Sequence, residues 1–258
     1  GVPLLTRGKQ GVTPTEYGQI VYRLAKLLQK SLEDVGNEIE ARRKDRAGSV
    51  SIGAGLLWCY VYLPAAVESI SRLLPRLKFN FFPRPPAILH EMVCQGELDI
   101  GLGQMPSDRH AGIVYEELLV SRSALFAHCD HPLNSKKRIR DSHLRQYPCA
   151  VFAAADNEVA TTISGGSEYH VTTMDNLLLS CLLMQDKRHL MRLPRALAGI
   201  LAKFDLVPLP HCSTDVEFVS GLYYRESALL RSTSRDVIEE IRKVSRASHS
   251  VNRTDPHQ

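Results

Sequence analysis

The sequence comprises 258 residues (28.8 kDa), 44% hydrophobic and 23% charged, with 16 Gly and 14 Pro, which excludes disordered and collagen-like chains. No run approaches the roughly 18 apolar residues of a membrane span, the densest patch being Leu177–Met184, and the first residues do not read as a signal peptide. The net charge of +4 is concentrated in residues 1–48, which hold nine Lys and Arg against six Asp and Glu, so an anionic partner is expected there.

The chain lacks an initiator Met and reads as an excerpt or a truncated product. Leu4–Val12 reads as a small hairpin whose tight turn carries Arg7 and Lys9. Thr13, Pro14 and Glu16 fit the N-cap, N1 and N3 positions of a capping box. Apolar residues then recur in steps of three and four to about residue 47, among them Val21, Leu24, Leu28, Leu32 and Val35. This predicts a helix of about 50 Å with one narrow apolar stripe, which pairs more readily with a second copy than with its own domain.

From Ser49 the pattern alternates between strand and helix. Strands are expected at 49–54, 77–82, 98–102, 113–120, 124–127, 149–153, 189–192, 206–207 and 217–224. Helices are expected at 63–74, 86–95, 174–184, 194–201 and 234–245. Alternation of this kind implies mostly parallel sheets covered on both faces, and about 200 such residues suggest two lobes with a ligand cleft between them. The tail from about 249 to 258 is expected to be disordered.

Six cysteines stand alone, with no C-x-x-C spacing, and suggest neither a disulfide framework nor a zinc ribbon but a reduced cytoplasm. His128-Cys129-Asp130-His131 has metal-ligand chemistry, yet the segment reads better as a strand end and turn, so no metal and no cofactor are expected. Cys129 and Cys149 are considered as a redox pair, but no cation pattern activates either thiol. Catalytic motifs are missing: there is no G-x-S-x-G, phosphate loop or H-E-x-x-H. Asp99 reads as fixing backbone at a strand start, and Gly101-Leu102-Gly103 as backbone clearance at the cleft.

Gly1-Val2-Pro3-Leu4-Leu5-Thr6-Arg7 followed by Thr15-Glu16-Tyr17-Gly18 resembles the wing and linker-helix start of LysR-type transcriptional regulators. The resemblance continues through Ser49–Gly53, Leu63-Pro64, Gly96–Leu102, His131-Pro132-Leu133 and Leu193-Pro194. It implies an α/β fold: a two-lobed, periplasmic-binding-protein-like effector domain preceded by a long linker helix and the remnant of a winged helix-turn-helix. The expected divisions are the wing remnant at 1–13, the linker helix at 14–47, lobe I at 49–121 plus 222–248, and lobe II at 122–221.

The resemblance also implies the site. Arg7 and Lys9 would touch DNA at the wing, while the recognition helix and about 45 residues of its domain would lie upstream. Val21, Leu24, Leu28, Leu32 and Val35 would form the dimer seam of a homodimer or homotetramer. A small-molecule effector would be met by Gly55, Leu56, Leu57, Trp58, Gly103 and Gln104 from lobe I, and by Phe152, Ala153 and Thr172 from lobe II. Leu56 and Leu57 stand where relatives carry a carboxylate-binding Ser or Thr, so an aromatic or apolar acid stacked on Trp58 is expected. A solute-binding protein of the same architecture, a non-DNA-binding fragment and a cleft enzyme remain alternatives.

Overall fold

The computed structural model describes residues 1–8, 11–43, 48–152, 171–174, 176–210, 215–226 and 232–252. Strands β1 (Leu5–Gly8) and β2 (Gly11–Pro14) form the expected antiparallel hairpin. Pro14 closes β2 rather than opening the helix, so the cap lies two residues further on than expected. Thr15 Oγ1 accepts from Gly18 N at 3.0 Å and donates to Pro3 O at 2.8 Å. A threonine hydroxyl satisfies a free amide of the first turn, and the same hydroxyl ties the hairpin to the helix. Gly18 is required here, because a Cβ would lie 1.9 Å from Leu4 O.

Helix α1 spans Glu16–Arg43, 28 residues. Its apolar stripe faces solvent in the single chain: Leu24, Leu28, Leu32 and Val35 are all more than half exposed.

The remaining strands join in one sheet of order β4-β3-β5-β11-β6-β9-β7-β8, with β10 also paired to β6. Strands β3 (Ser49–Ala54), β4 (Lys78–Pro83) and β5 (Ile100–Gln104) are mutually parallel around β3. A second parallel trio is centred on β7 (Cys149–Phe152), flanked by β8 (Val171–Met174) and β9 (Leu190–Pro194). Between the trios run β6 (Ile113–His128) and β11 (Val216–Arg225), antiparallel to each other and to their neighbours β9 and β5. Short β10 (Leu206–Pro208) pairs antiparallel with the end of β6.

The expectation of mostly parallel sheets is therefore corrected to a mixed sheet. Its cause is β11, which pairs antiparallel with both β5 and β6, so that β6 runs in the same direction as β5 and the second trio, joined to β6 through β9, runs opposite to it. The two strands expected at 113–120 and 124–127 are one, β6. Its register with β11 shifts between Ser220 and Gly221, where Leu119 and Glu117 are the successive partners and Leu118 is extra.

Helices α2 (Leu63–Leu73) and α7 (Ser232–Asn252) cover one face of the first trio, burying Val50, Ile52, Ile100, Leu102 and Leu222 with Ile70, Val237 and Ile241. Helix α3 (Pro86–Cys94) covers the other, where Leu89, Val93, Leu98 and Tyr223 pack. Around the second trio, α5 (Leu177–Leu183) and α6 (Ala198–Leu201) close over Phe126, Met191 and Leu206. The single-turn helix α4 (Asp141–Leu144) closes the opposite face over Leu125, Leu133 and Cys149. Helix α7 runs to Asn252, so residues 249–252 of the expected tail are helical; 253–258 lie outside the described residues. Among the described residues no helix is long and apolar enough to cross a membrane.

Candidate functional site

In each parallel trio the chain leaves the central strand to one side and returns on the other, so loops at the carboxyl ends of adjacent strands diverge and leave a crevice. The carboxyl ends of β3 and β5 are adjacent, Ala54 pairing with Leu102. The same ends of β7 and β8 are adjacent, Phe152 pairing with Met174. The sequence-predicted residues Gly55–Trp58 and Gly103–Gln104 fall at the first pair of ends and Phe152 at the second, whereas Thr172 lies two residues short of it on β8, paired with Ala150. Ala153 and Lys9 lie outside the described residues.

Gly55 N donates to Leu102 O at 2.8 Å, and the chain then turns through a π-helical turn at Trp58–Tyr62 directly into α2. Single π turns of this kind recur at functional sites. Here the turn carries Trp58 inward. The indole is 1% exposed, packs at 5.0 Å from the Tyr62 ring, and donates from Nε1 to Ser220 Oγ at 2.8 Å. Ser220 Oγ in turn donates to Gly103 O at 2.7 Å. A hydroxyl on the central strand β11 thus ties the β3 loop to the end of β5, with both bonds buried.

The structure places the Trp58 ring in the core with its N–H satisfied, rather than on an open wall where an effector would stack as expected. Leu57 is likewise buried, at 4% exposure. Leu56 points the other way, packing against the core of the second trio, and Gln104 is exposed at the end of β5. Ser220 was missed by sequence reasoning, since a lone Ser in a strand carries no periodic or motif signal.

One further expectation stands as read and another shifts. Asp99 Oδ2 accepts from Ser51 N at 2.8 Å, while Asp99 N donates to Ser51 O at 2.9 Å, fixing the start of β5 on β3. Gly101 does give backbone clearance, but not at the cleft as expected: the group it clears is the core residue Tyr223, whose Cε2 would lie 2.1 Å from a Cβ.

The segment at residues 128–131 behaves as a turn. Asn134 Nδ2 donates to the carbonyls of His128 and Cys129, His131 Nδ1 accepts from Leu133 N, and Asp130 is ion-paired with Lys187. Cys149 is 2% exposed and burial pushes its thiol up to about 11, as it does for Cys59, so neither is an activated thiolate. On the far side of the first trio, Arg242 on α7 donates to both Glu116 oxygens, at 2.8 and 2.5 Å, and Tyr224 donates to the same carboxylate at 2.6 Å. The Arg242 guanidinium holds the Glu116 carboxyl below its ordinary range.

Residues 43–246 match the family profile described as the LysR substrate binding domain. The chain belongs to the LysR family. Of curated relatives, the HTH-type transcriptional regulator GbpR of Azospirillum brasilense is 28% identical over 134 residues, 52% of this chain and 39% of that protein. The chain spans about two fifths to one half of the length of the first curated relatives it matches. Among solved structures, a full-length OxyR point variant from Pseudomonas aeruginosa superposes with a TM-score of 0.62 at 17% identity, covering 95% of this chain and 84% of that one. The regulatory domain of MetR from Neisseria meningitidis gives 0.60 at 15% identity, covering 77% and 94%. At these identities the structures speak for the fold.

Proposed function

We propose that this chain is the dimerising and effector-binding part of a cytoplasmic transcriptional regulator, acting by binding rather than catalysis. The observation that carries the reading is the Trp58–Ser220–Gly103 relay, set inside a LysR substrate-binding match. It fixes the two loops at the carboxyl ends of β3 and β5, where parallel α/β sheets receive ligands. The lobes would be 49–121 plus 222–248 and 122–221, a division supported by separate buried cores around the two strand trios. The effector is a small molecule contacted from lobe I by the main chain at Gly55–Leu56 and by Gln104, and from lobe II by the ends of β7 and β8.

The hairpin carrying Arg7 is assigned to the wing of a DNA-binding domain, where a cation adds salt-dependent affinity for phosphates but little sequence choice. The exposed stripe of α1 is assigned to a homodimer seam, and a homotetramer built on that dimer is the working assembly. Effector binding would shift the balance between two arrangements of the lobes, and with it the presentation of paired DNA-binding domains.

The test is a thermal-shift and calorimetric screen of aromatic acids, amino acids, sugar acids and dicarboxylates. A ligand at a hundredfold over its Kd adds about 2.7 kcal/mol, several degrees in Tm. The reading expects a hit that Gln104→Ala weakens at least tenfold while the ligand-free Tm stays put. A hit unaffected by Gln104→Ala and by Leu56→Asp would move the site elsewhere and overturn it.

A further inference from the structure

Helix α3 and the loop leading to β6 bring together three metal-ligating side chains that the candidate cleft does not use. His90 and Cys94 are four residues apart on α3, hence on one helical face. His110, from the loop 105–112, comes to meet them: the His90 and His110 rings lie 5.1 Å apart. One ligand atom from each of the three residues lies within 4.8 Å of the others. His90 and Cys94 are buried at 8% exposure each.

We propose that His90, Cys94 and His110 form a binding site for a divalent d-block cation, with zinc the best fit. A nitrogen–nitrogen–sulfur set is borderline-soft and selects zinc, cobalt, nickel or copper over magnesium or calcium. The spacing fits as well. A tetrahedral zinc with bonds near 2.05 Å to nitrogen and 2.3 Å to sulfur holds those atoms about 3.6 Å apart. Cys94 Sγ and His90 Nε2 stand 3.8 Å apart. His110 sits on a loop, with its ligand atom within 4.8 Å of the other two.

The surroundings suit a cation. Burial and the neighbouring His110 lower the His90 pKa, which favours the neutral ring that a metal needs. Tyr115 O–H lies 2.7 Å from His90 Nε2 and accepts from His110 N at 2.9 Å. Metal entry replaces the first of these bonds and leaves the second in place. Tyr223 packs edge-on against His90 at 5.7 Å and supports the ring from beneath. Arg109 lies over the Tyr115 ring, but its charge is paired with Glu117 at 2.8 Å. The Cys94 thiol, whose pKa burial raises, releases its proton to solvent on ligation. The fourth position is left to water on the exposed His110 side.

The three ligand-type residues at His128, Cys129 and Asp130 are a poorer set. His128 Nδ1 already accepts from Asp130 N, and Asp130 is paired with Lys187.

The experiment titrates Co(II) into the full chain and reads absorbance, with Zn(II) competition and thermal melting alongside. Expected are intense visible bands of a four-coordinate site and a thiolate-to-cobalt charge-transfer band, both erased by stoichiometric Zn(II), with a raised Tm. Cys94→Ser should remove the charge-transfer band, and the exposed-site variant His110→Ala should weaken Zn(II) at least tenfold without changing the apo Tm. Cys129→Ser should change neither. A spectrum of six-coordinate cobalt without charge transfer would overturn the site, as would loss of the band in Cys129→Ser instead of Cys94→Ser.

Discussion

The indole N–H of Trp58 and the carbonyl of Gly103 meet on one atom, Ser220 Oγ, which accepts from the first at 2.8 Å and donates to the second at 2.7 Å. Ser220→Ala leaves a buried donor and a buried acceptor unsatisfied, costing about 2–4 kcal/mol in all. Denaturant unfolding measures the cost. Trp58 is the only tryptophan, so its emission reports the site directly and should change in the same variant. Trp58→Ala should cost more, about 3–5 kcal/mol, by opening the core.

Gly101→Ala drives a methyl into the Tyr223 ring, whose Cε2 lies 2.1 Å from the ideal Cβ position. Tyr223 is fully buried and cannot swing aside freely. The expected loss is about 1–3 kcal/mol of stability, measured by urea unfolding. A neutral result would mean that β5 and β11 separate more easily than their pairing implies.

Asp99→Ala should destabilise by about 1–3 kcal/mol, because Ser51 N in the middle of β3 is left without its carboxylate partner. Hydrogen exchange should show faster opening of the Ser51 amide in the variant than in the parent.

Acid lability should trace to Glu116. Its carboxyl titrates below the ordinary range in the folded chain because Arg242 and Tyr224 bind the charged form. A lowered folded pKa gives stability that is complete above the unfolded carboxylate value. That stability declines as pH falls below this value, and is gone once pH passes the folded one. Arg242→Gln should therefore flatten the loss of stability on acidification, and pH-dependent denaturation would register it. Equal acid slopes in variant and parent would refute the assignment.

Leu28→Lys with Leu32→Lys tests the seam on α1. Both side chains are exposed in the single chain, Leu32 at 74%, so the substitutions should leave folding of the strand–helix region intact. Sedimentation equilibrium should report a lower mass than for the parent. An unchanged mass would place the self-association surface elsewhere.

Much of the fold was legible because hydrophobic periodicity governs it. The strands at 49–54 and 206–208 and the helix from Leu63 fall within a residue or so of their expected bounds. The hairpin before α1 was equally plain. Long-range geometry was not. Trp58 beside Leu56 and Leu57 looked like an apolar lining, and only the π turn at 58–62 decides that the ring goes inward. Ser220 acts across 162 positions of sequence, and Glu116 meets Arg242 across 126. His110 is 16 residues beyond Cys94, so ligand spacing gives no cue there. The capping error has a simpler source: Thr13 and Thr15 both suit an N-cap, and pairing of Thr13 with Thr6 in the hairpin settles the choice.

Among the described residues, strands β6 and β11 are the only pair that runs from one strand trio to the other within the sheet. Any change of angle between the trios must therefore be taken up as flexure and twist of a two-stranded ribbon, without unpairing. Such a ribbon is stiff to stretching and shear but compliant to torsion. The extra residue at Leu118 supplies the point of least stiffness. Any rotation of the halves about the ribbon would be taken up first at this bulge, where the β6–β11 ladder is already interrupted.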